Sequence, residues 1–165
     1  LSVPVIAVVH GKCYGGGLQI ALGADFRFAT PEAEFSIMEV KWGLIPDMSG
    51  SVTLRELTTI DVAKELTMTG RLFSGIEAKE MGLVTRVTST PFEEALDLAK
   101  EISARSPDAG AGAKKLFNAT WVAGEKVELK LEKKLQMKVM GRWNQIAAIS
   151  KNGSKKPFAY GKRRL

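Results

Sequence analysis

The sequence predicts an α/β fold, and three observations carry that prediction. Val3 to Val9 (VPVIAVV) is apolar on both faces and rich in β-branched residues, as a central strand covered on both sides requires. Gly15-Gly16-Gly17 then turns the chain into an apolar helical stretch, and strand, glycine turn, helix is the building unit of α/β architectures. The second half of the chain is dominated by helical periods, opened by Pro91 and Pro107 at first helical positions.

Taken in order, His10-Gly11-Lys12 interrupts the first strand, and the helix after the glycines is expected from Leu18 to Ala24. Asp25 to Ala29 (DFRFA) alternates as a strand does, Thr30-Pro31 ends it, and Glu34 to Ile37 is the next short strand. Met38 to Ser51 fits no period: two glycines, a proline and three charges stand among large apolar residues, the mixture found where a loop lines a pocket. Helices are expected at Ser51 to Leu57 and Ile60 to Thr69, a turn at Gly70 to Gly75, a short helix at Ile76 to Met81 stopped by Gly82, and a strand at Leu83 to Val87. Two more helices run from Pro91 to about Ala104 and from Pro107 to about Val122. The last helix is expected to be the longest, Glu125 to Ser150, with Val127, Leu131, Leu135, Val139, Trp143 and Ile146 on one seam that serves as core or subunit interface. From Lys151 the composition turns to Lys, Gly, Ser and Arg, and low order is expected. The predicted organisation is therefore an α/β core over residues 1–105, a helical region over 106–150 and a basic tail over 151–165.

With 165 residues, 45% of them hydrophobic and 25% charged, the chain has enough apolar material for a sizeable core, which excludes a disordered tail, a collagen-like repeat and a disulfide-built miniprotein. A single cysteine, Cys13, points to a reducing compartment. No apolar run reaches membrane-spanning length and no signal peptide opens the chain, so a cytoplasmic protein without a membrane partner is expected. The chain begins Leu1-Ser2-Val3-Pro4 and enters a buried-type strand at once; it reads as the C-terminal part of a longer protein, truncated at the N-terminus, which leaves mitochondrial or peroxisomal targeting open. The net charge of +6 conceals an asymmetry: residues 1–113 hold 10 Lys/Arg against 15 Asp/Glu, residues 114–165 hold 14 against 3. Such a basic third suits a nucleic acid, an anionic membrane or a phosphorylated ligand, or is a solvated face.

Signatures of cofactor and metal sites fail. Ile20 stands where a dinucleotide fingerprint needs its last glycine, and there is no Walker-type loop, no H-E-x-x-H and no paired-cysteine zinc spacing. His10 and Cys13, three residues apart across a turn, read as a packed thiol and a strand-end imidazole before they read as a nucleophile and its base. The glycine triplet is more informative. A turn that opens a helix leaves early N–H groups unpaired at the positive end of the helix dipole, and glycine lets a ligand oxygen come close. Such a turn can bind a phosphate or hold a thioester oxygen as it becomes negative.

His10-Gly11-Lys12-Cys13-Tyr14-Gly15-Gly16-Gly17-Leu18-Gln19 closely resembles the strand-turn-helix motif of the enoyl-CoA hydratase/isomerase (crotonase) superfamily. The likeness continues in order through Ala24-Asp25, Phe35, Glu39, Gly43-Leu44-Ile45-Pro46, Leu66 to Arg71, Ala78 to Val84, Ser106-Pro107 and the Lys114-Lys115 helix. The resemblance implies a superhelix of stacked ββα turns with a helical C-terminal region used for trimerisation. It also implies an acyl-CoA thioester substrate, with no cofactor beyond the coenzyme A of that substrate and no metal. Gly16 takes the place of one oxyanion N–H donor, the other being expected upstream of Leu1, so that the fragment alone is expected to be inactive.

Family hydratases are similar to one another in carrying glutamates at the positions of Gln19 and Glu39. Here the first is an amide, which orients water but exchanges no proton, and Gln19 with Trp42 and Pro46 is assigned to the substrate pocket. Asp47 stands where hydratases commonly have glycine, and the Glu39 plus Asp47 pair partly resembles the dienoyl-CoA isomerase branch. The implied activity is double-bond isomerisation of an enoyl- or dienoyl-CoA in fatty-acid oxidation, with Glu39 and Asp47 catalytic; hydration is the alternative. Asp47 or Ser49 as a cap for the following helix is the structural reading of the same loop. Trp42, Trp121 and Trp143 are expected in the core or a pocket wall. A non-catalytic RNA-binding relative is the reading from another class; a nucleic acid is not expected, because the basic residues lack interleaved aromatics for base stacking. A homotrimer or a dimer of trimers is expected.

Overall fold

The computed structural model describes residues 1–153 and 156–165. Its elements are β1 (Ile6–Val9), β2 (Lys12–Tyr14), α1 (Gly16–Leu22), β3 (Phe26–Ala29), β4 (Glu34–Ser36), a 3₁₀ turn (Glu39–Trp42), α2 (Gly50–Leu57), α3 (Ile60–Thr69), β5 (Phe73–Ser74), α4 (Gly75–Glu80), β6 (Arg86–Val87), α5 (Pro91–Ser103), α6 (Pro107–Thr120), α7 (Glu125–Val139) and α8 (Trp143–Gly153). They gather into two compact units, residues 5–96 and residues 1–4 with 97–165. The division thus falls inside α5, where the sequence reading carried the core to residue 105.

In the first unit the strands form two small sheets. One has the order β1-β3-β6 and is parallel throughout; the other has the order β2-β4-β5, with β4 and β5 antiparallel. β1 lies against β3 with Ile6 opposite Phe26, and β2 against β4 with Cys13 opposite Phe35. Each strand–strand–helix turn therefore stacks on the one before it. The apolar side chains that the stacking encloses include Leu18, Leu22, Phe35, Ile37, Leu54, Leu66, Phe73 and Leu83, a contiguous core. Phe28 is fully buried as well. The expected first strand shortens at its N-terminal end, and β2 and β5 are additions, β2 starting at the expected break His10-Gly11-Lys12 and β5 lying inside the turn expected at Gly70 to Gly75. Both are three residues or fewer, too short for an alternation to register.

Arg27 is a buried cation in this interior. Its guanidinium donates to the carbonyls of Leu83 (Nε, 2.8 Å), Leu22 (Nη1, 3.3 Å) and Ala24 (Nη1, 2.5 Å), the last two where α1 ends. Desolvation lowers its pKa, with the charge of Asp25 acting in the opposite direction. A buried cation is tolerated there because it closes orphan carbonyls at a helix C-terminus.

The second unit is helical. The expected single helix from Glu125 to Ser150 is two helices, α7 and α8, and the break has a backbone cause: Gly141 adopts φ +72°. Past α8 the chain has no helix or strand from 157 to 165, yet it is tied to its own unit. Trp143 stacks on Phe158 at 5.5 Å and donates through Nε1 to Ala159 O, Gly161 N–H donates to Asn144 Oδ1, and the N–H groups of Arg164 and Leu165 donate to Asp108 Oδ1. Positions 154–155 of the expected low-order tail lie outside the described residues. Among the described residues no helix is long and apolar enough to cross a membrane.

Candidate active site

Stacking of successive turns brings residues twenty apart side by side. Ile6 faces Phe26 across the sheet, Val5 N–H donates to Asp25 Oδ2 at 2.7 Å, and the Tyr14 hydroxyl donates to the Glu34 carboxylate. The same offset sets Gln19, on α1, against Glu39, which opens the 3₁₀ turn just after β4. Both are buried, Gln19 4% and Glu39 9% exposed.

Gln19 Nε2 donates to Glu39 Oε1 at 2.5 Å, while Gln19 Oε1 accepts from Met48 N–H at 2.9 Å and Gly50 N–H at 3.1 Å. Glu39 Oε2 is buried without a hydrogen-bond partner among the described residues. The carboxylate lies against the glycine turn: a Cβ built on Gly15 would stand 3.6 Å from Glu39 Oε1. Gly15 has φ +51°, which glycine adopts without penalty, and its N–H donates to Ser36 O at 2.9 Å. Gly16 then opens α1, whose first turn-closing bond runs from Gln19 N–H to Gly15 O, so the Gly16 and Gly17 N–H groups precede the helical ladder. A Cβ on Gly16 would stand 3.0 Å from Met48 Sδ. A side chain there would press on the flexible end of Met48, which would have to give by a few tenths of an ångström.

The remaining predicted site residues divide. Pro46 is half-buried beside Gly50, its Cβ 2.9 Å from where a Gly50 side chain would begin. Asp47 is exposed, but the peptide that joins it to Met48 is the one held by Gln19. Neither Asp47 nor Ser49 caps α2: the helix has no side-chain cap from its N-cap Ser49, which sits at φ +68°. Gln19 Oε1 takes the Gly50 N–H instead. Trp42 ends the 3₁₀ turn 76% exposed, and Trp121 and Trp143 are also exposed, so none of the three belongs to the core. Gly43, directly after Trp42, adopts φ +70° and ends the 3₁₀ turn. Sequence reasoning missed Met48 and Gly50, which act through backbone N–H groups that no side-chain pattern announces.

His10 is exposed and Cys13 buried, and burial pushes the Cys13 thiol up in pKa, away from thiolate chemistry. The hydrogen bond to Glu34 does the same to the Tyr14 phenol, with burial and the Glu34 charge adding to it. Among the described residues no three His, Cys, Asp or Glu side chains are grouped to hold a metal ion.

A family model described as enoyl-CoA hydratase/isomerase matches residues 1–154. The chain belongs to the enoyl-CoA hydratase/isomerase family. Curated members similar to it include a carnitinyl-CoA dehydratase of Salmonella typhi, 39% identical over 122 residues that make up 73% of this chain and 47% of the relative. The chain spans about half the length of the curated relatives it matches. Among solved family structures, an enoyl-CoA hydratase from Bacillus anthracis superposes with a TM-score of 0.92 at 31% identity, covering 97% of this chain and 63% of that one. An enoyl-CoA hydratase from Polaromonas sp. JS666 gives 0.89 at 31% identity, with the same coverage of 97% and 63%. The stacked-turn α/β architecture is the crotonase fold of this family.

Proposed function

We propose that the full-length protein acts on an acyl-CoA thioester, holding the enolate oxygen at the Gly16 N–H and moving a proton with Glu39. The carrying observation is a buried carboxylate pressed against the glycine turn with one oxygen, Oε2, unpartnered. A carboxylate beside backbone donors suits proton abstraction next to a thioester carbonyl, since the negative charge that leaves carbon collects on the oxygen the donors face.

The reaction proposed is double-bond isomerisation. Gln19 offers no second carboxylate, whereas Asp47 sits on the loop that the same amide holds. One carboxylate takes a proton from carbon near the thioester, the dienolate forms with its oxygen at Gly16, and the other returns a proton at the far end of the conjugated system. A 3,5-diene becomes a 2,4-diene, with no redox partner and no metal in the balance. A second reading, water addition or removal, draws support from the names of similar proteins, which include hydratases and a dehydratase. Trimeric assembly remains part of the proposal.

Glu39→Gln and Asp47→Asn in the full-length protein test it. Glu39→Gln is expected to lower dienoyl-CoA isomerisation by about 10²–10⁴-fold, the range for removing a positioned acid–base group. Asp47→Asn is expected to lower it as well. Isomerisation that survives both changes unaltered refutes the assignment. Brisk hydration of a 2-enoyl-CoA by the wild-type enzyme transfers it to the second reading.

A further inference from the structure

We propose that Gln19 is the positioning residue of this site, and that it confines the moving proton to a single atom, Glu39 Oε2. The inference rests on the reading of Glu39 as the proton carrier. Its basis is the hydrogen-bond valence of one amide group. Gln19 Oε1 has two lone pairs, and both are engaged, by Met48 N–H at 2.9 Å and Gly50 N–H at 3.1 Å. A flipped amide would turn its NH₂ onto two N–H donors and its oxygen onto a carboxylate, so the network admits one orientation. The amide nitrogen therefore faces Glu39, and at 2.5 Å it donates to Oε1.

That bond has a consequence for the chemistry. Glu39 Oε1 is an acceptor toward Gln19 whether or not the carboxyl carries a proton, because an N–H already occupies the line between them. With one Oε1 lone pair engaged by Gln19, a proton collected from substrate is assigned to Oε2, the oxygen that is buried and unpartnered among the described residues. Gln19 thus selects which oxygen works. Through the same plane it locks the Asp47–Met48 and Ser49–Gly50 peptides, so the loop that bears the second carboxylate is indexed to the first. Gly50 leaves room for this: any side chain there would begin 2.8 Å from Gln19 Oε1. Gln19 touches no reacting atom in this scheme and acts through Glu39.

The test is a double-mutant cycle in the full-length enzyme, with Gln19→Met, Glu39→Gln and the pair, scored by kcat and KM for the isomerised thioester. Methionine keeps the length of the side chain and removes both of its hydrogen-bonding ends. The expected result for Gln19→Met is a fall in kcat of about 100-fold, the scale of a misplacement near 1 Å, with KM within about threefold of wild type. On the Glu39→Gln background the same change is expected to cost far less than on wild type, since the Glu39 carboxyl that Gln19 positions is already gone and only its hold on the Asp47 loop remains. Multiplicative losses in the pair, or a loss confined to KM, overturn the inference. A measurement without any change at residue 19 accompanies the cycle. One of the two Gln19 side-chain N–H protons is expected downfield and protected from exchange in ¹⁵N spectra of wild type, and shifted in Glu39→Gln; two equivalent, rapidly exchanging protons overturn the inference. Glu39→Gln inactive with Gln19→Met at full kcat refutes the positioning role alone. Full activity in Glu39→Gln refutes the functional reading and the inference with it.

Discussion

At Gly50 a methyl group would stand 2.8 Å from Gln19 Oε1 and 2.9 Å from Pro46 Cβ, both well inside contact distance. Gly50→Ala must displace the amide or the proline, and overpacking of this kind costs about 1–3 kcal/mol. The expected outcome is that modest loss in chemical denaturation together with a larger proportional fall in kcat than change in KM; unchanged kcat would mean the amide tolerates displacement. Glu39 and Gln19 were picked out in the sequence through a resemblance, and both are buried. Their mutual bond was not legible, nor were the contacts of Gln19 with Met48 and Gly50, 29 and 31 residues away along the chain. Hydrogen bonds to backbone N–H groups leave no trace in residue type at the donating position. Asp47 was legible as a departure from a pattern, while its exposure depends on a loop whose path the sequence does not dictate.

Helix starts were legible where a proline or a periodic apolar face marks them. α3, α5 and α6 begin where expected, α6 with Ser106 Oγ accepting from Ala109 N–H and Pro107 at the first helical position. α4 begins with a full capping box between Ser74 and Glu77, although the reading placed its start one residue later, at Ile76. The long C-terminal helix failed because its apolar seam continues in register across residues 140–142, so periodicity masks the break. The break is a backbone event at Gly141, whose φ of +72° other L-residues adopt only under strain. A paired prediction follows from two glycines with nothing within 4 Å of a new Cβ. Gly141→Ala is expected to destabilise by about 1 kcal/mol, the left-handed penalty alone. Gly110→Ala, inside α6, is expected to stabilise by about 0.5–1 kcal/mol, from helix propensity alone. Equal shifts of the same sign in thermal unfolding would show that the α7–α8 break does not depend on Gly141.

Over the whole molecule, charge and topology are partitioned. Residues 5–96 hold 8 Lys/Arg against 12 Asp/Glu, while residues 1–4 with 97–165 hold 16 against 6. The asymmetry was plain in the sequence; the anchoring of the basic segment was not, because it depends on a buried carboxylate, Asp108, far from the tail along the chain. Asp108 is 4% exposed and joins three segments: Oδ2 accepts from Asn144 Nδ2 on α8, and Oδ1 accepts from the N–H groups of Arg164 and Leu165. Burial alone would raise its pKa, but the bonds from Arg164, Asn144 and Leu165, with the Arg164 charge, outweigh burial and leave it below the ordinary carboxylate value. An unfolded Asp titrates near about 3.9, so the unfolded chain takes up this proton first. The stability that Asp108 contributes is therefore complete above that pH, declines as the pH falls toward the depressed folded value, and is gone below it. Asparagine at 108 has a single acceptor oxygen, so either Asn144 or the Arg164 and Leu165 N–H groups would face a donor. Asp108→Asn is expected to lose about 1–3 kcal/mol at pH 7, the cost of a buried group left unpaired, and to show a shallower decline than wild type below about pH 4. Urea titrations at steps from pH 7 to pH 2, followed by tryptophan fluorescence of Trp121 and Trp143, distinguish the cases. Parallel curves for wild type and variant would mean that the tail is held by something other than this carboxylate.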